Sequence, residues 1–343
     1  MFPELTDTAL VFGDEVTTFA DLLLLGIATG LAEEAMGSTR RGLWALEQAG
    51  FNLPRESLLE EAVAFRRARR LESGQDLRAW LAVRQLTIED WEAHLCRSLA
   101  DKQVLTTDSP AGTVEIDFSC QAFMVDLTCG GWWQRLADLA ARLWAATKLA
   151  GNDLAGADID LSGEKSRIAG LIEPLTAVDE LWCAEGLRRV RAGERALEEA
   201  ARRCAPPDAV AGRILEHANE WTEVRFDELL LPTREAANEA ALCALEDGLE
   251  AKDLAARAAM PLLEHRTRHD LLPVEMASLL DSALTDTPFG PVSHDEQWAV
   301  LWLRERRRPS LEDEAVRRAA SAELLEEALD RVSQGLVRRL STL

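Results

Sequence analysis

The stretch VRFDELLLPTREAANEAALCALEDG, from Val224 to Gly248, decides the fold of the C-terminal half of the chain. It begins as a short apolar run closed by Pro232, a pattern typical of a β-strand. After Pro232, apolar residues recur at helical spacing up to Gly248, and glycine is a common residue just beyond a helix C-terminus. The stretch therefore predicts a strand followed by a helix.

The residues that follow extend this pattern to a small domain. KDLAARAAMPLLEH and PVEMASLLDSAL are predicted helices, GPV is a predicted turn, and QWAVLWL is a predicted strand. Residues from about 222 to 308 thus follow the order strand, helix, helix, helix, strand, which is typical of a small α+β domain.

The N-terminal half is predominantly helical by its apolar periodicity. In VFGDEVTTFADLLLLG, Gly13 and Asp14 indicate a tight turn, and Thr18 is a predicted N-cap for a helix from Phe19. Four amphipathic helices follow, up to about residue 105. GTVEIDF then alternates like a half-buried strand, and WWQRLADLAARLWAATKLA is a predicted amphipathic helix. Near the C-terminus, SLED opens a predicted helix that ends about Leu340.

Composition limits the partners and the compartment. The formal net charge of −22 argues against general nucleic-acid binding and against docking on anionic lipid. The first residues lack the pattern of a signal peptide, and LLLLGIATGLA is too short to span a bilayer, so we expect a cytoplasmic protein with no membrane association. The six cysteines form no CxxC pair, which favours reduced thiols; we expect neither a metal nor another cofactor.

Several of these segments resemble the SurA/PpiC-like chaperone-type parvulins. VFGDEVTTFADLL resembles the opening of that family, and the four helices after it match its helical N-terminal domain in order. PPDAVAGRILEHANEW, VRFDELLLPTREAANEAALCALEDG and LLPVEMASLLDSALTDTPFGPVSHDEQWAVLWLRERRRPSLED resemble the linker helix, the first strand and helix, and the end of a parvulin domain. The resemblance covers roughly residues 9–105 and 207–340.

The resemblance implies an α+β, predominantly helical chain with four parts. These parts are a SurA-like helical N-terminal domain, an insert module with a strand and helices, a linker helix with a degenerate parvulin-like domain, and a closing C-terminal helix that packs back on the helical domain. Their predicted bounds are residues 1–105, 106–205, 206–309 and 310–343.

The resemblance also implies a peptide-binding cleft, in some members with peptidyl-prolyl isomerase activity. Active parvulins usually carry one histidine in the first strand and one in the last, whereas Glu228 and Ala299 occupy those places here. We therefore expect isomerase activity to be weak or lost. A retained groove would be lined by residues that include Glu228, Leu272, Met276, Phe289 and Ala299. The alternative for Met276 and Phe289 is plain core packing.

Other side chains with possible chemistry have simpler interpretations as well. Trp132, Trp133 and Trp144 stand at helical spacing and would form an aromatic surface for peptides, although core packing is the more common role. His265 and His269 stand four residues apart, a spacing that suits a metal site on a helix, but no third ligand is identifiable, so two surface histidines are favoured. RERRRP is expected to be the polar exit of the last strand.

Four hypotheses remain open from the sequence. The leading one is a non-catalytic, cytoplasmic peptide- or polypeptide-binding protein, with a role in the maturation of a ribosomal peptide. The second is an active but divergent prolyl isomerase. The third is a peptide-modifying enzyme that uses the 106–205 insert, through Cys120, Cys129 or a metal. The fourth is a structural subunit that forms a homodimer.

Overall fold

The computed structural model describes residues 7–12, 15–48, 51–106, 120–151, 180–294, 297–334 and 337–339. They belong to two compact units, one of Met1–Arg203 with Glu327–Leu343 and one of Cys204–Glu326. The chain is α+β and predominantly helical, so the predicted fold class is confirmed. Among the described residues, no helix has both the length and the hydropathy that spanning a bilayer requires.

The first unit opens with a β-hairpin and a capped helix. Strands β1 (Thr8–Phe12) and β2 (Glu15–Thr18) pair antiparallel, and β7 (Val337–Arg339) pairs with the other edge of β1. Helix α1 spans Phe19–Thr29. The Asp21 N–H donates to Thr18 Oγ1 at 3.2 Å, and the Thr18 N–H donates to Asp21 Oδ2 at 2.9 Å. These reciprocal bonds satisfy two otherwise unpaired donors and confirm the predicted helix start.

The remaining helices of the first unit follow the predicted pattern with one addition. They are α2 (Leu31–Glu47), α3 (Arg55–Ala68), α4 (Gly74–Val83), α5 (Ile88–Thr106), α6 (Cys120–Cys129), α7 (Trp132–Ala150) and α8 (Glu180–Cys204). The predicted helices α2 to α5 and α7 are confirmed, whereas α6 was not predicted. The predicted strand GTVEIDF lies outside the described residues.

The core of the first unit forms around α1. Its residues Leu22 to Ile27 are all buried, so α1 is enclosed on every side. Phe123 of α6, Leu136 of α7 and Leu187 of α8 belong to the same apolar cluster. Helix α2 approaches α5 so closely that a Cβ atom at Gly42 would lie 2.5 Å from the backbone oxygen of Arg97. A glycine is therefore required at this contact.

The second unit is built around a four-stranded antiparallel sheet with strand order β4-β3-β6-β5. Its elements are α9 (Pro207–Glu216), β3 (Glu223–Leu231), α10 (Arg234–Glu246), α11 (Ala251–Ala258), β4 (Leu262–Arg268), a 3-10 turn (His269–Leu271), α12 (Val274–Ser282), β5 (Pro288–His294), β6 (Gln297–Arg307) and the start of α13 (Glu314–Ser333).

Two strands of this sheet correct the sequence prediction. KDLAARAAMPLLEH was predicted as one helix, but α11 ends at Ala258 and Leu262 begins β4. Pro261 stands between them, and its missing N–H cannot continue a helix. GPV was predicted as a turn, yet it lies within β5, which pairs with β6. Both strands lie at the sheet edges, where mixed burial hides the period-2 signal.

Successive side chains of a strand point to opposite faces, so the sheet has two apolar clusters. On one face, Leu229 and Val300 lie in a cluster with residues of α10 and α11. On the other, Phe226 and Leu301 lie in a cluster with Met276 and Leu280 of α12. We call this second side the α12 face.

The arginines at the end of β6 have partners within the second unit. Arg304 donates from Nε to Asp227 Oδ2 and from Nη1 to Asp286 Oδ1, each at 2.8 Å. Arg306 donates to the backbone oxygens of Leu280 and Ala283, near the C-terminal end of α12. These arginines therefore stabilise the unit itself.

Candidate functional site

A carboxylate lies buried in the middle of the α12 face. Glu228 on β3 is only 1% exposed, and it stands between Leu263 on β4 and Leu301 on β6. Removing an ionised carboxylate from water costs several kcal/mol unless charged or hydrogen-bonding partners compensate. Its partners therefore decide whether the site is feasible.

Two histidines from the edge strands supply these partners. His265 Nε2 lies 2.8 Å from Glu228 Oε2, and His294 Nδ1 lies 2.8 Å from Glu228 Oε1. The contact of His265 has the geometry of a hydrogen bond. By contrast, Oε1 accepts no hydrogen bond of ordinary geometry, although His294 Nδ1 lies within contact distance of it. We call this arrangement the His–Glu–His cluster.

The strand register explains why the three side chains meet. His265 pairs with Phe226 and lies two residues from Leu263, so it shares the face of Glu228. His294 lies two residues from Val292, an apolar side chain of the same cluster as Phe226. One residue of shift in either strand would turn its histidine to the opposite face.

The histidines are the exposed part of this cluster. Their side chains are 38% and 37% exposed, while that of Glu228 is 2% exposed. Because Glu228 contacts Nε2 of His265 and Nδ1 of His294, the Nδ1 atom of His265 and the Nε2 atom of His294 are the nitrogens that point away from the carboxylate. The His265 ring also stacks on Phe226, at 4.8 Å between centroids and 20° between planes. The cluster can thus present two oriented imidazoles to a ligand.

The five predicted groove residues all belong to the α12 face. Met276 and Ala299 are buried in its apolar cluster, and Leu272 and Phe289 are half-buried against it. Glu228 is the buried carboxylate described above. Whether these residues line a peptide groove stays a prediction.

Apolar side chains are exposed along the segment that carries α12. Leu271 is 70% exposed, Val274 85% and Leu284 72%. Leu272, between the first two, contributes to the apolar cluster below. Where such side chains lie side by side, exposed apolar surface on a folded protein commonly marks an interaction site.

Sequence reasoning missed the two histidines of the cluster. His265 and His269 were considered as a pair on a helix, but His265 lies on β4 and His269 lies in the 3-10 turn. His269 contacts Asp281 Oδ1 at 3.0 Å, so the two histidines have different partners. Sequence reasoning assigned His294 no partner, whereas in the structure it contacts Glu228. A correct assignment of the two edge strands would have placed both rings beside Glu228.

The three tryptophans of the predicted aromatic surface contribute mainly to the core. Trp133 is buried, meets Phe19 edge-to-face at 5.1 Å and donates from Nε1 to Thr128 Oγ1 at 3.2 Å. Trp132 and Trp144 are half-buried against the same core. Trp144 stacks on Phe12 at 4.7 Å and lines a cavity of about 470 Å³ in the first unit.

A second buried carboxylate lies in the first unit. Asp126 on α6 accepts hydrogen bonds from Arg97 at 2.6 and 2.9 Å and contacts His94 Nδ1 at 2.9 Å. Burial disfavours its ionised form, but the donors on His94 and Arg97 outweigh burial and hold the pKa of Asp126 below its ordinary value. Since all three side chains are buried, the cluster joins α5 to α6 and offers no surface to a ligand.

The cysteines give little support to a nucleophile in the insert. Burial raises the pKa of the Cys129 thiol to about 12, so the reactive thiolate is scarce at neutral pH. Cys120 is half-buried at the start of α6. Five cysteines are free thiols: Cys96, Cys120, Cys129, Cys204 and Cys243. The ranges that the structure describes hold no group of three or more His, Cys, Asp or Glu side chains arranged to bind a metal ion.

Comparison of the chain with known proteins finds similar solved structures. Neither a family model nor a curated protein matches the chain. The peptidylprolyl isomerase PrsA from Bacillus anthracis matches at 14% identity and a TM-score of 0.27, over 59% of this chain and 94% of its own. PrsA from Bacillus cereus matches at 13% identity and a TM-score of 0.32, over 67% and 88%. The chain is similar to PrsA-type proteins.

A SurA-like chaperone of Campylobacter jejuni also matches, at 10% identity and a TM-score of 0.21, over 62% of this chain and 89% of its own. A SurA-like chaperone is thus among the solved structures similar to this chain, as the PrsA proteins are. Because identities and TM-scores are this low, no activity is transferred from these proteins to this chain.

Proposed function

We propose that this chain is a chaperone-like, polypeptide-binding protein whose binding site is the α12 face of the second unit. The observation that carries the proposal is that elements of this face expose both kinds of group that a polypeptide can contact. Exposed Leu271 and Val274 offer apolar contact, and the half-exposed rings of His265 and His294 offer polar contact for backbone groups.

The apolar part of this surface would provide most of the affinity. Covering an exposed valine or leucine stabilises a complex by about 1.5 kcal/mol or more, and 1.4 kcal/mol is a tenfold change in Kd. A few such side chains are enough for the weak, adaptable binding of unfolded chains.

A matched pair of variants tests the proposal. Val274→Asp introduces a charge at an 85% exposed position of the site, and Leu215→Asp introduces the same charge at a 76% exposed position on α9. Calorimetric titration with an unfolded polypeptide should give a Kd about tenfold weaker for Val274→Asp. The Leu215→Asp variant should bind as the parent does. No binding by the parent chain at high concentration, or equal weakening by both variants, would contradict the proposal.

Prolyl isomerisation is a second candidate function, favoured by one observation. The resemblance suggested that the site lacked its histidines, yet two histidines from other strands lie on the same face beside an apolar cluster. Oriented imidazoles can stabilise the twisted imide of a prolyl bond. NMR exchange spectroscopy on a prolyl peptide measures this activity, with His265→Ala and His294→Ala as variants and His269→Ala as control. Exchange that is unchanged by the chain excludes the activity.

A cytoplasmic location and a role in the maturation of a ribosomal peptide complete the proposal. The absence of disulfides among the described cysteines fits a reducing compartment. Co-purification of the chain with a precursor peptide is the measurement that tests the maturation role.

A further inference from the structure

We infer that the α12 face selects polypeptide segments that combine apolar residues with lysine or arginine. This inference rests on the proposed polypeptide binding and adds the chemical class of the ligand. Its starting point is a gap in the sequence: no lysine or arginine occurs between Arg268 and Arg304. The 3-10 turn, α12, β5 and the first part of β6 all lie within that gap.

Carboxylates outnumber cations where this gap meets the sheet. The carboxylates are Glu228, Asp270, Glu275, Asp281 and Asp286, and the cations at the two ends are Arg268, Arg304 and Arg306. Arg268 donates from Nε to Asp270 Oδ1 at 2.9 Å, and Arg304 is shared between Asp227 and Asp286. The basic side chains at the ends are thus already engaged with carboxylates of the unit or, for Arg306, with backbone oxygens.

Two carboxylates stand next to the exposed apolar residues. Glu275 directly follows Val274, is exposed, and takes part in no ion pair with another described residue. Asp281 is 67% exposed on the same helix and contacts His269. Negative charge therefore lies beside exposed apolar surface.

This combination fits one class of ligand. Lysine and arginine lay apolar stems along a hydrophobic surface while their charged ends reach carboxylates. An acidic segment would meet like charge at the same positions, which is unfavourable. The net charge of −22 adds long-range attraction for cationic chains, and this attraction falls with ionic strength.

The experiment uses three unfolded peptides with one shared set of apolar residues, flanked by lysine, glutamine or glutamate. Each exposed ion pair is worth up to about fivefold in affinity, so two or three pairs should make the lysine peptide roughly tenfold tighter than the glutamate peptide. The preference should shrink as salt is raised.

Matched charge variants separate the site from the net charge. Glu275→Lys should reduce the preference for the lysine peptide by about threefold or more, since it replaces attraction by repulsion. Glu239→Lys, at an exposed position on α10 against the opposite face of the sheet, makes the same change in net charge and should have a smaller effect.

The outcomes distinguish the two proposals. If none of the peptides binds, the proposed function itself fails. Equal binding of the three peptides, or equal effects of the two charge variants, would overturn the inferred selectivity while polypeptide binding stands.

Discussion

Replacing Glu228 by methionine should not destabilise the second unit, although this residue is among its most buried. The reason lies in its partners. The two imidazoles that contact Glu228 are 38% and 37% exposed, so both can form hydrogen bonds with water once the carboxylate is gone. Methionine has a similar volume and would pack between Leu263 and Leu301.

The magnitude follows from two opposing contributions. Burying the carboxylate costs several kcal/mol, and its two contacts with half-exposed histidines return only part of that free energy. Exchanging a buried ionic group for an apolar one of similar volume is often neutral or stabilising. We therefore expect the free energy of unfolding of Glu228→Met to lie between no change and a gain of about 2 kcal/mol. The same variant should bind polypeptide more weakly, because His265 and His294 lose the group that orients them.

The assay must report on the second unit alone. A chain of two units does not guarantee two-state unfolding, so one global curve is not sufficient. Hydrogen exchange of the β3 and β6 amides along a urea series gives the local free energy of unfolding. Leu301→Ala is the positive control, because truncating a fully buried leucine should cost about 2–5 kcal/mol. A loss above about 2 kcal/mol in Glu228→Met would refute the reasoning and assign a structural role to the carboxylate.

Two further predictions concern the first unit. Asp126→Asn should lower its stability by about 3–5 kcal/mol, since it leaves Arg97, only 8% exposed, without its counter-charge. Hydrogen exchange of the α5 and α6 amides along a urea series measures the loss. The pKa of Asp126 is depressed in the folded state, so the ionised carboxylate stabilises the first unit at pH values above its unfolded pKa of about 4. This stabilisation is lost as the pH falls through the folded pKa. The parent chain should therefore lose it in acid, and Asp126→Asn should not. Cys129 is buried, and its thiol has a pKa raised to about 12, so it should resist alkylation in the native state and react on unfolding. Peptide mass spectrometry can follow this labelling. Fast labelling of the native chain would contradict the burial of Cys129.

The clearest successes of the sequence analysis are local elements. Thr18 predicted the start of α1, because an N-cap residue acts on the helix that directly follows it. The spacing of apolar residues predicted α7 and β6 for the same reason: the pattern and the structure both lie within one short segment. The total charge, which adds long-range attraction for cationic chains, is also fixed by composition alone.

The edge strands show where local patterns fail. β4 and β5 alternate only weakly between buried and exposed residues, and their pairing depends on strands far away in sequence. Because β4 and β5 were not predicted, nothing in the sequence placed His265 and His294 on the same face of the sheet. The site was therefore predicted to lack its histidines.

The sequence by itself determined the α+β class, the helices with strong apolar periodicity, the cap of α1 and the excess of negative charge. Only the tertiary structure decided that Glu228 is a buried carboxylate between two histidines. The physical reason is register. Glu228 and His265 are 37 positions apart along the chain, and His265 and His294 are 29 positions apart. Only the antiparallel pairing of the four strands turns these side chains to one face, where each histidine lies 2.8 Å from the carboxylate.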